Sequence, residues 1–216
     1  MRLLALDGSL ARASAALWVE GEVVARRAVA GDRVQPTALP PMAEELLRDA
    51  GALDAVAVVV GPGGFTGLRT AIALAEGIAL GRGIPVIGVT TGEALAAALP
   101  EAIRAGREVW AAVDTKRGRM ALERIPAGSL VAAAPPVVLE ERALPRPEGR
   151  VAVVGDAAPL VAARLLARDA DAVLTDSRLP DAGAAALVAA LRQAGRIPPR
   201  GAAPLYAEPP AVRAPG

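Results

Sequence analysis

The chain alternates short apolar runs, most of them closed by glycine or an acidic residue, with longer Ala-rich segments. Leu3–Leu6 is continuously apolar and runs into Asp7-Gly8-Ser9, which predicts a buried first strand closed by a turn. Residues 13–20 and 23–29 predict two more strands, joined across Gly21-Glu22 as a tight hairpin. Pro40 and Pro41 predict a helix start, with Glu44 and Glu45 near its first turn, Met42, Leu46, Leu47 and Ala50 on its apolar face, and Gly51 as its stop. Val56–Val60 predicts a strand ending in Gly61-Pro62-Gly63-Gly64, followed by a helix over 67–82 with Thr66 as its cap. A strand over 84–89 and a short helix over 91–99 complete the first half.

The resulting order, β-β-β-α-β-α-β-α, is that of the ribonuclease-H-like lobe shared by actin, Hsp70 and sugar kinases. The second half opens the same way. Val109–Asp114 parallels Leu3–Asp7 as an apolar strand ending in Asp, and Met120–Glu123 parallels Ala15–Trp18 as its return strand. Residues 126–150 predict a loop with one edge strand at 137–139; a strand at 151–154 and helices near 159–168 and 181–194 follow. The fold class expected is α/β, an actin-like ATPase (ASKHA, ribonuclease-H-like) fold with two lobes and a reduced second lobe. Residues 1–103 form the first lobe and 104–197 the second. Residues 198–216 form a Pro- and Gly-rich C-terminal segment whose far end is expected to be loosely ordered.

Composition narrows the chemistry. The 216 residues are 53% hydrophobic and 22% charged, the range of globular chains, but only 2% aromatic, so Ala, Leu, Val and Ile must fill the cores. There is no Cys and no His. That excludes disulfides, thiolate metal sites, Ser-His-Asp and Cys-His hydrolases, and His-ligated zinc or iron. With 24 basic and 23 acidic residues, the net charge of +1 lacks the basic excess of a chain that grips tRNA alone. The first carboxylate comes too early for a signal-peptide core, and the Ala71–Leu80 run is interrupted by Glu76, so no membrane span and a cytoplasmic location are expected.

The sharpest motif is Gly61-Pro62-Gly63-Gly64-Phe65-Thr66-Gly67-Leu68-Arg69. Between a strand and a helix, its glycines allow an anion site at the helix N-terminus, although no Lys-Ser/Thr follows as in a Walker A loop. The alternative is a tight turn with Phe65 plugging the core and Thr66 capping, which these residues favour. Asp7 and Asp114 end matching strands, where a carboxylate can hold a divalent metal; capping their own turns through backbone N–H groups is the simpler role. The 67–82 helix is apolar around much of its girth, which fits burial on the sheet and a contact with another subunit equally well. Trp18, Trp110, Phe65 and Tyr206 are expected to be core anchors.

The glycine stretch resembles the GPGSFTGLR signature of the TsaB (YeaZ) family, with Gly64 where Ser is usual. Further similarities are Leu4-Ala5-Leu6-Asp7, Leu39-Pro40, Pro85–Val89, Asp114 with Arg117-Gly118, and Pro204-Leu205-Tyr206. They span nearly the whole chain and are dense over 53–95. Departures are Gly8 for Thr, Gln35-Pro36-Thr37 where His-Ser is frequent, Ala121 for Tyr, and Ala207-Glu208 for Leu-Arg. The resemblance implies a non-catalytic scaffold of the machinery that transfers a threonylcarbamoyl group to N6 of the adenosine next to the tRNA anticodon. Its partners would be a TsaD-type transferase, which carries the His-ligated metal, and a TsaE-type ATPase. tRNA would be held mainly through the complex, and ATP or ADP there rather than by the isolated chain, which needs no cofactor or metal. Association with the transferase, or self-association, is expected through the helices over 41–50 and 67–82, with Met42, Leu46, Leu68, Ile72, Ala75 and Ala79 at the contact. Gly61, Pro62, Gly63, Phe65, Thr66, Gly67 and Arg69 form the signature loop, and no residue is assigned to catalysis. A stand-alone actin-like phosphotransferase using Asp7 and the glycine loops, and a ribonuclease-H-like nuclease, are the competing classes.

Overall fold

The computed structural model describes residues 1–207. The loose order expected of the far C-terminus falls on 208–216, outside the described residues. Strands β1 (Arg2–Asp7), β2 (Arg12–Val19) and β3 (Glu22–Ala30) form an antiparallel meander. The β2–β3 turn is made by Glu20 and Gly21, both at positive φ, one residue earlier than expected.

Helix α1 (Gln35–Arg48) starts five residues before Pro40, so both prolines lie inside it. The carbonyls they leave without N–H partners belong to Pro36 and Thr37, which face water, while Leu39, Met42, Ala43 and Leu46 bury on the sheet. Burial of that stripe outweighs the two lost bonds. Glu44 and Glu45 therefore sit in the second half of the helix. There they pair with Arg48 at 3.1 Å and Arg27 at 2.5 Å instead of offsetting the N-terminal dipole.

Strand β4 (Ala55–Gly61) pairs in parallel with β1, and β5 (Val86–Thr90) in parallel with β4, giving the order β3-β2-β1-β4-β5. Helix α2 (Phe65–Arg82) connects them. It begins earlier than predicted: Gly64 is the extended N-cap, no side chain caps it, and Thr66 lies within the first turn, its carbonyl accepting Thr70 Oγ1 at 2.9 Å. Helix α3 (Thr91–Ala97) starts from a complete capping box between Thr90 and Glu93. The short α4 (Glu101–Gly106) was not predicted.

The second sheet contains β6 (Glu108–Asp114), β7 (Met120–Ile125), β8 (Val137–Leu139), β9 (Val151–Val154) and β10 (Ala172–Leu174), with α5 (Ala158–Leu166) between the last two. Its order β8-β7-β6-β9-β10 repeats the first sheet strand for strand, with the same parallel and antiparallel pairings. The three residues of β10 are too few to carry a periodic signal.

Helix α6 (Ala182–Gln193), which chain order groups with the second half, packs on the first sheet. Leu3, Ala5, Trp18 and Ala57 meet Ala182, Ala185, Ala186 and Ala189 there. The opposite face of that sheet, through Leu4, Leu6, Val56 and Val58, holds α1 and α2. Leu95, Ala96 and Leu99 of α3 and its C-terminal end pack on Val109 and Ala111 of β6, while α5 covers Trp110 and Ala112 from the far side. The layers thus run α1/α2, first sheet, α6/α3, second sheet, α5. Residues after α6 return to the first lobe as well: Arg200 O accepts Gly88 N–H at 2.9 Å and Leu205 N–H donates to Val60 O at 2.7 Å. Among the described residues no helix is long and apolar enough to cross a membrane.

Candidate functional site

The signature loop is fastened to the β1–β2 turn by backbone. Gly64 N–H donates to the Ser9 carbonyl at 2.7 Å, and the Gly8 carbonyl lies directly against the Cα of Gly67. A Cβ at Gly63 would overlap Ser9 O, and one at Gly67 would overlap Gly8 O. Gly61, at φ +113°, makes room for the Leu205 carbonyl, and Thr91 Oγ1 donates to Pro62 O at 2.7 Å. The start of α2 is thereby packed against two carbonyl oxygens of this same chain. The loop is a packing turn, as the residues favoured, but its two named side chains act differently from expectation. Thr66 does not cap, and Phe65 does not plug the core.

Phe65 is 39% exposed. Arg69, one turn later, places its guanidinium 3.8 Å over the Phe65 ring and donates Nε to the Tyr206 hydroxyl at 2.9 Å; the two rings are 5.3 Å apart. Two of the four aromatics expected in the core thus form a surface cluster with the signature arginine. The i, i+4 spacing of Phe65 and Arg69 was visible in the sequence; the arrival of Tyr206 was not. Trp18 and Trp110 are buried as expected.

Asp7 is fully buried. Its Oδ1 accepts Ser9 N–H at 2.9 Å and Ser9 Oγ–H at 2.7 Å, while Oδ2 has no partner. Burial pushes its carboxyl up to about 6; the Ser9 bonds and Arg12 oppose the shift, and Asp181 adds to it. Asp114 accepts Lys116 N–H at 2.7 Å and pairs with Lys116 Nζ at 3.1 Å, and Asp156 receives the Asp114 N–H at 2.9 Å. Each carboxylate closes its own turn. Among the described residues no group of three or more Asp, Glu, His or Cys side chains is arranged to hold a metal. The space between the two turns is apolar: Leu10 of the first lobe packs on Val113 and Ala121 of the second, with Val138, Leu179 and Ala207 around them. A phosphotransferase would need that space for nucleotide and Mg²⁺.

The six residues expected at a partner contact require a correction. Met42, Leu46, Leu68, Ile72, Ala75 and Ala79 all point inward, none more than 8% exposed, because each helix commits its strongest apolar stripe to its own sheet. What α2 presents outward is a second stripe of Phe65, Arg69, Ala73, Glu76, Gly77 and Leu80, with Leu80 85% exposed. Leu80, seven residues beyond Ala73, was the sequence signal for it.

A family model described as TsaD, tRNA N6-adenosine threonylcarbamoyltransferase, matches residues 34–125. The Escherichia coli K12 tRNA threonylcarbamoyladenosine biosynthesis protein TsaB is 36% identical over 124 residues, covering 56% of this chain and 53% of that one. The Haemophilus influenzae protein of the same name is 34% identical over 129 residues, covering 58% and 54%. The chain thus spans about half the length of the curated relatives it matches. YeaZ from Pseudomonas aeruginosa superposes with a TM-score of 0.78 at 30% identity over 95% of this chain and 99% of that one. The ethanolamine utilization protein EutJ from Carboxydothermus hydrogenoformans shares the fold alone, with a TM-score of 0.53 at 13% identity over 88% and 90%.

The duplicated five-stranded sheets, each opening on a strand that ends in Asp, define a two-lobed protein of the actin-like (ASKHA) class. Within that class, the chain belongs to the TsaB/YeaZ family.

Proposed function

We propose that this chain serves tRNA threonylcarbamoyladenosine biosynthesis as a non-catalytic subunit that joins a TsaD-type transferase through the outer stripe of α2. The observation that carries this is a contrast within one molecule. The space between the lobes, where an actin-like enzyme would work, holds Leu10, Val113 and Ala121, while Leu80 stands exposed beside the small residues Ala73 and Gly77. A helix face on which Leu80 projects beside Ala73 and Gly77, with Glu76 between them as a charged contact, suits approach by a partner helix. The names of the E. coli and H. influenzae relatives supply the pathway.

A TsaE-type ATPase is the third member in this reading, with ATP or ADP held in the assembled complex and the whole acting in the cytoplasm. The near-neutral charge of +1 fits tRNA being gripped mainly by the other subunits. An isolated sample is expected to dimerise through the same α2 stripe. Size-exclusion chromatography of the chain mixed with the transferase of its own organism tests the proposal. A heterodimeric species is expected; two independent peaks, with and without the third subunit, would overturn it. Calorimetry on the isolated chain should find no tight ATP–Mg²⁺ binding, whereas tight binding would favour a phosphotransferase.

A further inference from the structure

At the junction of the lobes a charged cluster is sealed from water. Glu93 of α3 is fully buried and commits both oxygens: Oε2 accepts Thr90 N–H at 2.8 Å and Oε1 takes Arg192 Nη2 of α6 at 2.6 Å. Arg192 also donates Nε to the Pro198 carbonyl at 3.0 Å. Glu123 reaches the same place from β7 of the other lobe and is 1% exposed. Its Oε2 accepts Gly92 N–H at 3.0 Å, and the same carboxylate is hydrogen-bonded by the Thr90 side chain, whose oxygen accepts Glu93 N–H at 3.0 Å. A Cβ at Gly92 would overlap that Oε2, so the missing side chain at 92 makes the contact sterically available. One carboxylate of the second lobe is thereby seated on two positions, 90 and 92, at the start of α3.

The seat is only half complete. Glu123 Oε1 is buried without any partner. The charged groups facing it are Glu93 on α3, which repels it, and Arg200 on the segment after α6, which attracts it without a hydrogen bond from its buried Nε; Arg192 bonds Glu93 through Nη2 and leaves Nη1 unpartnered. Burial is the largest influence and Glu93 adds to it, pushing the carboxyl up to about 7 against the opposing bonds from Thr90 and Gly92 and the pull of Arg200. A proton on Oε1 removes the buried charge and leaves Oε2 free to accept the Gly92 bond. Ionisation keeps the bonds but places a charge in a buried junction beside another carboxylate, with only the pull of Arg200 to offset it.

We propose that Glu123, Gly92 and Thr90 form a proton-sensitive clasp that holds the second lobe to the first while Glu123 is neutral and loosens their junction when it ionises. The clasp is independent of the α2 surface and of any partner.

Amide NMR and hydrogen exchange on the full chain from pH 5 to 9 test it. The Gly92 amide shift is expected to titrate with a midpoint of about 7. After correction for intrinsic exchange, opening at residues 90–93 should rise by roughly one to two orders of magnitude across the range, the factor that a shift of two to three pKa units allows. Glu123→Gln keeps an acceptor and removes the charge, so it should abolish both effects while matching the wild-type chain at pH 5. A Gly92 midpoint below 5, or undiminished pH dependence in Glu123→Gln, overturns the clasp. Should Glu123→Gln fail to fold, the wild-type Gly92 titration decides alone.

Discussion

The Arg69 guanidinium lies 3.8 Å over the Phe65 ring, and the same side chain holds the Tyr206 hydroxyl at 2.9 Å, a residue 137 positions away in the chain. The stack pins the returning segment beside β4, where Leu205 N–H bonds Val60 O. Arg69→Ala removes a cation–π contact and a hydrogen bond at a half-exposed site, together about 1–2 kcal/mol. Hydrogen exchange should show faster exchange at Leu205 and unchanged protection at Val58. Unchanged protection at Leu205 would mean that its own contacts suffice to hold the segment.

Two glycines of α2 should respond in opposite directions. A Cβ at Gly67 meets the Gly8 carbonyl, a backbone atom that cannot swing aside, whereas a Cβ at Gly77 meets nothing within 4 Å. Gly67→Ala is expected to lower stability by about 1–3 kcal/mol through overpacking. Gly77→Ala should raise it by about 0.5–1 kcal/mol through helix propensity. Urea denaturation of the two variants checks the sign of each.

Asp7 offers a pH test of its buried carboxyl. Its folded pKa of about 6 lies above the ordinary 3.8, so the folded state binds the proton more tightly than the unfolded one. The contribution to stability is full below pH 3.8 and is lost as pH rises through 6, by about 3 kcal/mol at most. Asp7→Asn keeps the acceptor for Ser9 and removes the buried charge. It should be at least as stable as the wild-type chain at pH 7 and show a flatter stability profile between pH 4 and 6. A strong loss of stability at pH 7 would sink that account.

Leu46 and Leu80 separate folding from association. Leu46→Asp places a charge in the first core and is expected to unfold the chain or cost several kcal/mol. Leu80→Asp alters a side chain already in water, so circular dichroism and Tm should stay the same while complex formation in chromatography is lost. Normal association by folded Leu80→Asp would remove α2 from the interface.

The order of the strands and helices was legible because each apolar run carries its own period and its own stop. Val56–Val60 before a glycine turn and Val109–Val113 before Asp114 need no tertiary information to be read as strands. Element edges were less legible where burial overrode local rules. Pro40 and Pro41 normally mark a helix start, yet the stripe of Leu39, Met42, Ala43 and Leu46 carries α1 through them. The three-residue β10 and six-residue α4 are too short to show any period.

By itself the sequence determined the duplicated strand-Asp-turn plan, the absence of His and Cys chemistry, and the glycine-phenylalanine signature that marks the family. These are local properties, written in adjacent residues. Only the tertiary structure decided which face of α2 is free, that Tyr206 completes the Phe65–Arg69 cluster, and that Glu123 of one lobe meets Gly92 of the other. Apolar periodicity reveals that a helix has a buried stripe, but α2 is apolar around much of its girth, and only the sheet beneath it selects which side water can reach. Contacts such as Glu123 to Gly92 depend on how two lobes dock, and residues 31 positions apart hold no local record of that geometry.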